Sequence, residues 1–126
     1  MREGELTQQV SDYLRLQYRV PYHIDFGSGA VLNKFQAIRQ KRLNANGWPD
    51  VFIAVQRGEW GGLFLELKAE KATVFLRNGK LSRDKHIQDQ EAVLQSLRDN
   101  GYRAEFAQGF AHCKTIIDQY LLTTKP

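Results

Sequence analysis

Apolar residues recur along this chain at two spacings, one typical of helices and the other typical of strands. Helical spacing predicts four amphipathic helices, over residues 3–17, 33–44, 84–99 and 112–122. Short apolar runs bounded by turn-forming residues predict four strands, over residues 18–26, 50–55, 63–69 and 102–108. The predicted order is α-β-α-β-β-α-β-α. This alternation predicts an α/β fold in which helices flank a central mixed sheet.

Two segments outside the predicted strands carry more specific expectations. In the helix predicted over 33–44, the spacing places Phe35 on the inward face. Residues 71–81 predict a loop or a short β excursion, because Asn78-Gly79 is a pair that favours tight hairpin turns. The first segment is therefore expected to pack inward, and the second to form a turn.

Length and composition limit the possible classes of protein. A chain of 126 residues and 14.5 kDa is long enough for one core, so a single domain over 1–126 is expected. The lone Cys113 excludes an internal disulfide and argues against a structural zinc site. The N-terminus has no apolar signal core, and no apolar run approaches the ~20 residues that span a bilayer. We therefore expect a cytoplasmic protein without a membrane partner.

Two acids and a lysine lie on two predicted strands that follow one another in the chain. Glu66 and Lys68 share one face of their strand, since successive side chains alternate faces. If the two strands pair through residues 56–62, Asp50 at the start of the first strand comes to lie beside Glu66. Neighbouring carboxylates repel each other, and a divalent metal removes that repulsion. Oxygen ligands at this density suit Mg²⁺ or Mn²⁺.

A metal centre of this kind serves phosphodiester hydrolysis. The metal polarises the phosphoryl group and lowers the pKa of water, and Lys68 could neutralise developing charge or orient the attacking water. The alternative is structural: Glu66 and Lys68 would be a solvent-facing pair, and Asp50 a turn residue after Pro49. Short motifs of this kind also recur by chance, so the rest of the chain has to decide between the two interpretations.

These residues resemble the virus-type replication-repair nuclease (VRR-NUC) domain, a branch of the PD-(D/E)XK nuclease superfamily. Pro49-Asp50 and Glu66-Leu67-Lys68 are similar to that family's Gly-x-Pro-Asp and Glu-x-Lys elements. The resemblance implies a restriction-endonuclease-like αβββαβ core. It also implies a Mg²⁺-dependent endodeoxyribonuclease, with Mn²⁺ as the other candidate metal.

The helices flanking these strands carry further similarities, each with a rival residue. Glu5 resembles the family's N-terminal acid, although Glu3 competes for that role. Gln90, eleven residues ahead of Gly101, resembles the family's helical glutamine. The segment before it is longer than the family's usual linker, so Gln88 competes with Gln90.

The resemblance also implies a role for each residue of the centre. The implied metal ligands are all oxygen donors: Asp50, Glu66, the Leu67 carbonyl and, directly or through water, Glu5. Lys68 would support the attacking water, and Gln90 would position that water or the lysine. The family further implies DNA repair by selective cleavage of flaps or four-way (Holliday) junctions, performed by a homodimer in a bacterial or phage-infected cell. Trp48, Trp60, Phe75 and residues 116–122 offer apolar surface for such a dimer, unless they are core.

Charge is consistent with a DNA partner. The net charge of +4 and the pI of about 9.3 favour an anionic ligand. One basic group lies in the predicted helix 33–44: Lys34, Arg39, Lys41 and Arg42. A second follows the Glu-x-Lys strand, where a mobile loop would suit a clamp on DNA: Lys71, Arg77, Lys80, Arg83 and Lys85. Either group could instead be an ordinary solvated surface.

Two alternatives of another class use the same fold. The chain could be a non-catalytic nucleic-acid-binding module, or a subunit of a replication or packaging assembly. The combined presence of Asp50, Glu66 and Lys68 favours catalysis, because a protein that only binds has no need of two adjoining acids.

Overall fold

The computed structural model describes residues 3–25, 35 and 47–123. Its elements are, in chain order, α1 (Glu3–Tyr13), a π-helical turn (Leu14–Tyr18), β1 (Tyr22–Ile24), β2 (Val51–Ile53), β3 (Leu63–Lys68), α2 (Lys85–Asp99), β4 (Arg103–Gln108) and α3 (Gly109–Leu121). The described elements thus follow the order αβββαβ, with one further helix at the end. This confirms the core predicted from the sequence.

The strands in the described ranges form one mixed sheet. Their spatial order is β1-β2-β3-β4. The pairs β1–β2 and β2–β3 are antiparallel, and the pair β3–β4 is parallel. Parallel neighbours need a crossover connection, which α2 provides. The central mixed sheet with flanking helices is therefore confirmed.

The central strand β3 is buried on both faces and separates two apolar clusters. Leu63, Leu65 and Leu67 point to one face, where they pack with α1 and α3. Phe64 points to the opposite face and packs with side chains of α2. Glu66 lies on this second face, as the alternation of β3 requires. The charged part of the strand is therefore directed at α2.

The first helix and the first strand differ from their predicted bounds. The helix was expected over 3–17, but regular α-helix ends at Tyr13 and widens into the π-helical turn. Arg19 ends that turn in the left-handed region, with φ 55°, and its N–H donates to the Leu14 carbonyl at 2.8 Å. The strand predicted over 18–26 consequently begins only at Tyr22. Apolar spacing cannot reveal such a change in backbone hydrogen bonding.

The helix predicted over 33–44 lies almost entirely outside the described residues. Of residues 26–46 the structure describes Phe35, which is helical and 81% exposed. The inward orientation predicted for Phe35 is therefore wrong. Helical spacing determines which residues share a face, but it does not determine whether another element covers that face.

The two helices in the second half of the chain begin close to their predicted bounds. Helix α2 begins at Lys85, after Asp84, whose carboxylate accepts a hydrogen bond from the Ile87 N–H. Helix α3 begins at Gly109, three residues before the predicted start. The Gln108 N–H at this start donates to His112 Nδ1 at 2.9 Å. A side chain of the first turn thus satisfies a backbone donor at the helix entrance.

The predicted β excursion is present as a small hairpin. Phe75 and Leu81 form an antiparallel bridge, and Gly79 adopts φ 82° in the turn between them. Its base is fixed by the Ser82 N–H, which donates to the Val74 carbonyl at 2.8 Å. We refer to residues 74–82 as the finger.

Candidate active site

Asp50 is held at the start of β2 by backbone contacts on two sides. Its carbonyl accepts a hydrogen bond from the Asp25 N–H, and its carboxylate oxygen Oδ2 accepts one from the Leu67 N–H, both at 2.8 Å. Val51 pairs with Leu65, so continuing this register places Asp50 opposite Glu66. The predicted juxtaposition of the two acids is thus what the strand register produces.

The segment that leads into Asp50 packs on the backbone of α2. Gly47 adopts φ 83°, and a Cβ added there would lie 3.1 Å from the Asp89 carbonyl oxygen and 3.2 Å from the Gln90 nitrogen. Glycine provides both the positive φ and the close approach. Pro49 is buried, which holds the segment in place. Asp50 and Gln90 are therefore tied together through the backbone of their segments.

Glu66 and Gln90 form a buried pair between β3 and α2. Each residue is 4% exposed, and Gln90 Nε2 donates to Glu66 Oε1 at 2.8 Å. An ionised carboxylate only accepts hydrogen bonds, so the amide must present its NH₂ group to Glu66. The other amide atom, Gln90 Oε1, is buried and accepts no hydrogen bond from the described residues. This oxygen is available to a water molecule or another donor within the site.

The rival glutamine lies elsewhere. Gln88 is exposed, and its Nε2 donates to the Ser82 carbonyl at 3.2 Å. The two glutamines are two positions apart on a helix, so their side chains leave it in very different directions. The structure brings Gln90 to Glu66 and leaves Gln88 at the base of the finger.

Lys68 lies beside Glu66 in the interior. It is 8% exposed, and its Nζ lies 4.0 Å from Glu66 Oε1. Lysine and glutamate are almost never this buried unless they are paired. The alternative of a solvent-facing pair on a half-exposed strand is therefore wrong for these two residues.

The predicted N-terminal acid, Glu5, lies on α1. Glu5 is exposed on α1, and no group of three or more His, Cys, Asp or Glu side chains within the described ranges is arranged to hold a metal. Gln8, three residues after Glu5 on the same helix, donates to Asp12 Oδ1 at 3.0 Å. A metal role for Glu5 stays a prediction, as does the competing role of Glu3.

His86 belongs to the site and was missed in the sequence. It is exposed in the first turn of α2, and its Nε2 lies 3.2 Å from Gln90 Nε2. The amide therefore bridges a buried carboxylate and an imidazole at the surface. The available signal was helical spacing: His86 and Gln90 are four residues apart and share a helix face.

The structural comparison identifies this architecture. A solved structure described as a VRR_NUC domain protein matches with probability 1.00 and a TM-score of 0.71. The two chains are 20% identical, and the match covers 99% of this chain and 92% of that one. This chain has the VRR_NUC fold. No protein-family model matches the sequence, and no curated protein matches it.

The donors in this VRR_NUC fold suit a hard divalent cation. Glu66 and Asp50 contribute two carboxylates, the number that Mg²⁺ commonly takes from a protein. The N–H and C=O of one strand residue point to the same side, so the Leu67 carbonyl points toward Asp50, as its N–H does. The buried Gln90 Oε1 could accept a hydrogen bond from a water of the metal shell. The residues present therefore fit such an ion.

The predicted DNA-binding residues fall into two groups in the structure. The basic group of the predicted helix 33–44 lies outside the described residues: Lys34, Arg39, Lys41 and Arg42. The second group is exposed on and around the finger: Lys71, Arg77, Lys80, Arg83 and Lys85. Of these, Lys85 forms an ion pair with Asp89 at 3.2 Å.

No described helix is long and apolar enough to cross a membrane.

The apolar surface predicted for a dimer is largely core. Ile116, Ile117, Tyr120 and Leu121 on α3 are buried. Trp60 packs against Tyr120, with ring centroids 6.1 Å apart. Trp48 and Phe75, at 47% and 53% exposed, remain accessible. Helix α3 therefore supplies intramolecular packing.

Proposed function

We propose that this chain is a metal-dependent endodeoxyribonuclease that hydrolyses phosphodiester bonds, with a preference for branched DNA. The observation that carries the proposal is the burial of Glu66 and Lys68 together, beside Asp50, on a sheet of VRR_NUC fold. Burying these charges opposes folding, since charged groups lose hydration. A catalytic site provides a functional reason to retain them.

Some residues of the site would bind the metal ion, and others would orient the attacking water. Asp50, Glu66 and the Leu67 carbonyl would hold Mg²⁺ or Mn²⁺, with Glu5 joining directly or through water. The ion would supply the Lewis acidity that polarises the phosphodiester and makes water more acidic. Lys68 Nζ, in the interior beside Glu66, would stabilise the charge that develops on the phosphate and orient the attacking water.

Gln90 would act through Glu66. Its NH₂ group fixes one carboxylate oxygen at 2.8 Å, so the side chain of Glu66 is held in one orientation before substrate binds. Such preorganisation keeps the ligands in the geometry that the reaction requires. The exposed basic residues of the finger would contact the DNA backbone, in the cytoplasm of a bacterial or phage-infected cell.

The decisive experiment is a cleavage panel with purified protein. Fully paired duplex, single-stranded, flap and four-way DNA, and an RNA duplex, are incubated with Mg²⁺, with Mn²⁺ or with EDTA. We expect cleavage of the flap or four-way substrate that requires the metal and is lost in Asp50→Ala. The matched control is Asp99→Ala, which removes an acid from the exposed end of α2. Undiminished cleavage by Asp50→Ala would exclude this mechanism.

The same panel tests the alternative of a binding module. Tight binding of DNA without cleavage by the unmodified protein, in either metal, would favour a module or assembly subunit.

Junction resolution adds a requirement, because two cuts related by a two-fold axis need two active sites, which a homodimer supplies. Light scattering over a concentration series tests this. A monomer at every concentration, with or without DNA, would leave a flap-directed or end-directed nuclease.

A further inference from the structure

The finger combines exposed apolar side chains with uncompensated positive charge. Leu76 and Phe75 are 36% and 53% exposed. The finger, residues 74–82, contains two basic residues and no acidic residue. Arg77 and Lys80 flank the turn, and both are exposed. Within the part of the chain that the structure describes, neither forms a salt bridge. A surface of this kind is complementary to an anion that also offers an apolar face.

The finger is preformed by its own hydrogen bonds. The Leu76 N–H donates to the Lys80 carbonyl at 2.8 Å, and the Gly79 N–H donates to the Leu76 carbonyl at 2.9 Å. Asn78 Oδ1 accepts from the Lys80 N–H at 3.0 Å. Val74 at the base is 1% exposed and belongs to the apolar cluster of α2. Since the tip is already ordered, little conformational freedom would be lost on binding.

The position of the finger connects it to the candidate active site. The finger belongs to the segment that leaves the sheet after Lys68 and ends at Asp84. Asp84 caps the helix that carries Gln90. At about 3.3 Å per residue, the four steps from Val74 to Asn78 give a reach of roughly 13 Å. That reach is comparable to the width of a DNA major groove, about 12 Å.

We propose that the finger is the element that recognises branch points in DNA, with Leu76 placed against an interrupted base stack. Arg77 and Lys80 contact the flanking phosphates. In a fully paired duplex an apolar side chain must first unstack two base pairs, which is unfavourable. At a flap or junction the stack is already open, so Leu76 is covered without that cost. Selectivity for branched DNA follows from this difference.

This inference rests on the proposed function in that DNA is the partner, but its test needs no cleavage. Dissociation constants are measured by fluorescence anisotropy in EDTA, for a flap and for a fully paired duplex of the same sequence. The unmodified protein is expected to bind the flap about tenfold more tightly, equivalent to about 1.4 kcal/mol. Leu76→Ser is expected to reduce that ratio to about two or less, with little change in duplex binding.

Two control variants separate the apolar contact from charge and from exposed leucines in general. Arg77→Gln should weaken binding to both DNAs alike and reduce the salt dependence by a log–log slope of about 0.9 per lost phosphate contact. Leu122→Ser removes a leucine that is 76% exposed and follows Leu121, whose carbonyl accepts a hydrogen bond from Arg57 in the turn between β2 and β3. This substitution should leave the dissociation constants for the flap and for the duplex unchanged.

Two outcomes would overturn the inference. They are equal binding of flap and duplex by the unmodified protein, and an unchanged ratio of the two dissociation constants in Leu76→Ser. Circular dichroism verifies that each variant is folded. Flap-selective binding that depends on Leu76, without cleavage in Mg²⁺, would contradict the proposed nuclease and leave this inference standing.

Discussion

The two faces of β3 are both buried but chemically different. Toward α1 and α3 the strand presents Leu63, Leu65 and Leu67, within a cluster that includes fifteen buried residues of the described ranges. Toward α2 it presents Phe64 and then Glu66, and the apolar cluster on that side includes seven of the described residues. On the α2 side, the same face of one strand therefore carries an apolar residue first and charged residues after it.

This difference shows that burial and hydrophobicity are separate properties of a strand. On the α1–α3 face, burial of apolar area stabilises the fold directly. On the α2 face, Glu66 is tolerated because Gln90 and Lys68 lie within reach of its carboxylate. Polar groups at such a position reduce stability unless they are satisfied, so this face contributes less to stability than the apolar face, and under the proposed function it would serve catalysis. Substitutions on the two faces should therefore affect different measurements.

The largest expected contrast is between neighbouring residues of β3. Glu66→Gln should reduce cleavage by about a thousandfold or more, the scale of several kcal/mol of lost transition-state stabilisation. Its free energy of unfolding should change little, because the shape of the side chain is kept. Leu65→Ala should lower that free energy by about 2–5 kcal/mol, through lost apolar contact and a cavity.

Urea denaturation and single-turnover cleavage measure the two quantities. If Glu66→Gln lowers the free energy of unfolding as much as Leu65→Ala does, the two faces of β3 do not differ in the expected way. The same conclusion follows if Glu66→Gln cleaves DNA at the rate of the unmodified protein.

Lys68 tests whether the second charge on this face is catalytic. Lys68→Ala should reduce turnover by about a hundredfold or more, as expected when an electrostatic partner of the transition state is removed. DNA binding should be retained, because the buried side chain is not part of the exposed basic surface. Equal losses in turnover and in affinity would instead identify Lys68 as a phosphate anchor. Lys114→Ala, on the outer surface of α3, is the matched control.

Gly47 tests the attachment of the Asp50 segment to α2. Gly47→Ala forces a side chain into the left-handed region and against the α2 backbone at about 3.1 Å. We expect the free energy of unfolding to fall by roughly 1–3 kcal/mol, and cleavage to fall because Asp50 and Gln90 are displaced relative to each other. Gly101→Ala has a similar φ, 93°, but open space around it and lies outside the finger, so it reports the backbone strain alone. Equal effects of the two substitutions would show that the contact with α2 does not matter.

The smallest expected effect concerns a polar network at the edge of the α1–α3 face. The hydroxyls of Tyr13 and Tyr18 both donate to Asp118, at 2.5 and 2.6 Å. Burial tends to raise the pKa of Asp118, but hydrogen bonds from the two tyrosines and Lys114 outweigh it and lower the pKa below 3.8. The ionised carboxylate therefore contributes stability above pH 3.8, and this contribution is lost as the pH falls through the lowered pKa.

Asp118→Asn should lower the free energy of unfolding at pH 7 by about 1–2 kcal/mol. Thermal denaturation between pH 7 and pH 3 measures this, with Asp99→Asn as an exposed control. The difference between Asp118→Asn and the unmodified protein should shrink toward pH 3. A difference that is constant over the whole range would show that the charge of Asp118 is not involved. Cleavage should be unaffected, since the network lies on the opposite face from Glu66.

The sequence alone was sufficient to predict the central strands of the sheet and the hairpin turn of the finger. The alternation in residues 63–68 and the apolar run at 51–53 set strand positions, and Asn78-Gly79 set the hairpin turn. Local rules succeed there because the alternation of side chains between strand faces and turn chemistry are properties of neighbouring residues. The π-helical turn and the exposure of Phe35 could not be predicted, because both depend on contacts with distant parts of the chain.

The pairing of Asp50 with Glu66 was determined by the sequence, since two short strands and the turn between them permit one register that buries both apolar faces. Only the tertiary structure decided between Gln88 and Gln90, brought His86 to the rim of the site, and showed Lys68 to be buried. Those outcomes depend on the angle at which α2 lies across β3. That angle is set by side-chain packing over the whole interface, which no local pattern encodes.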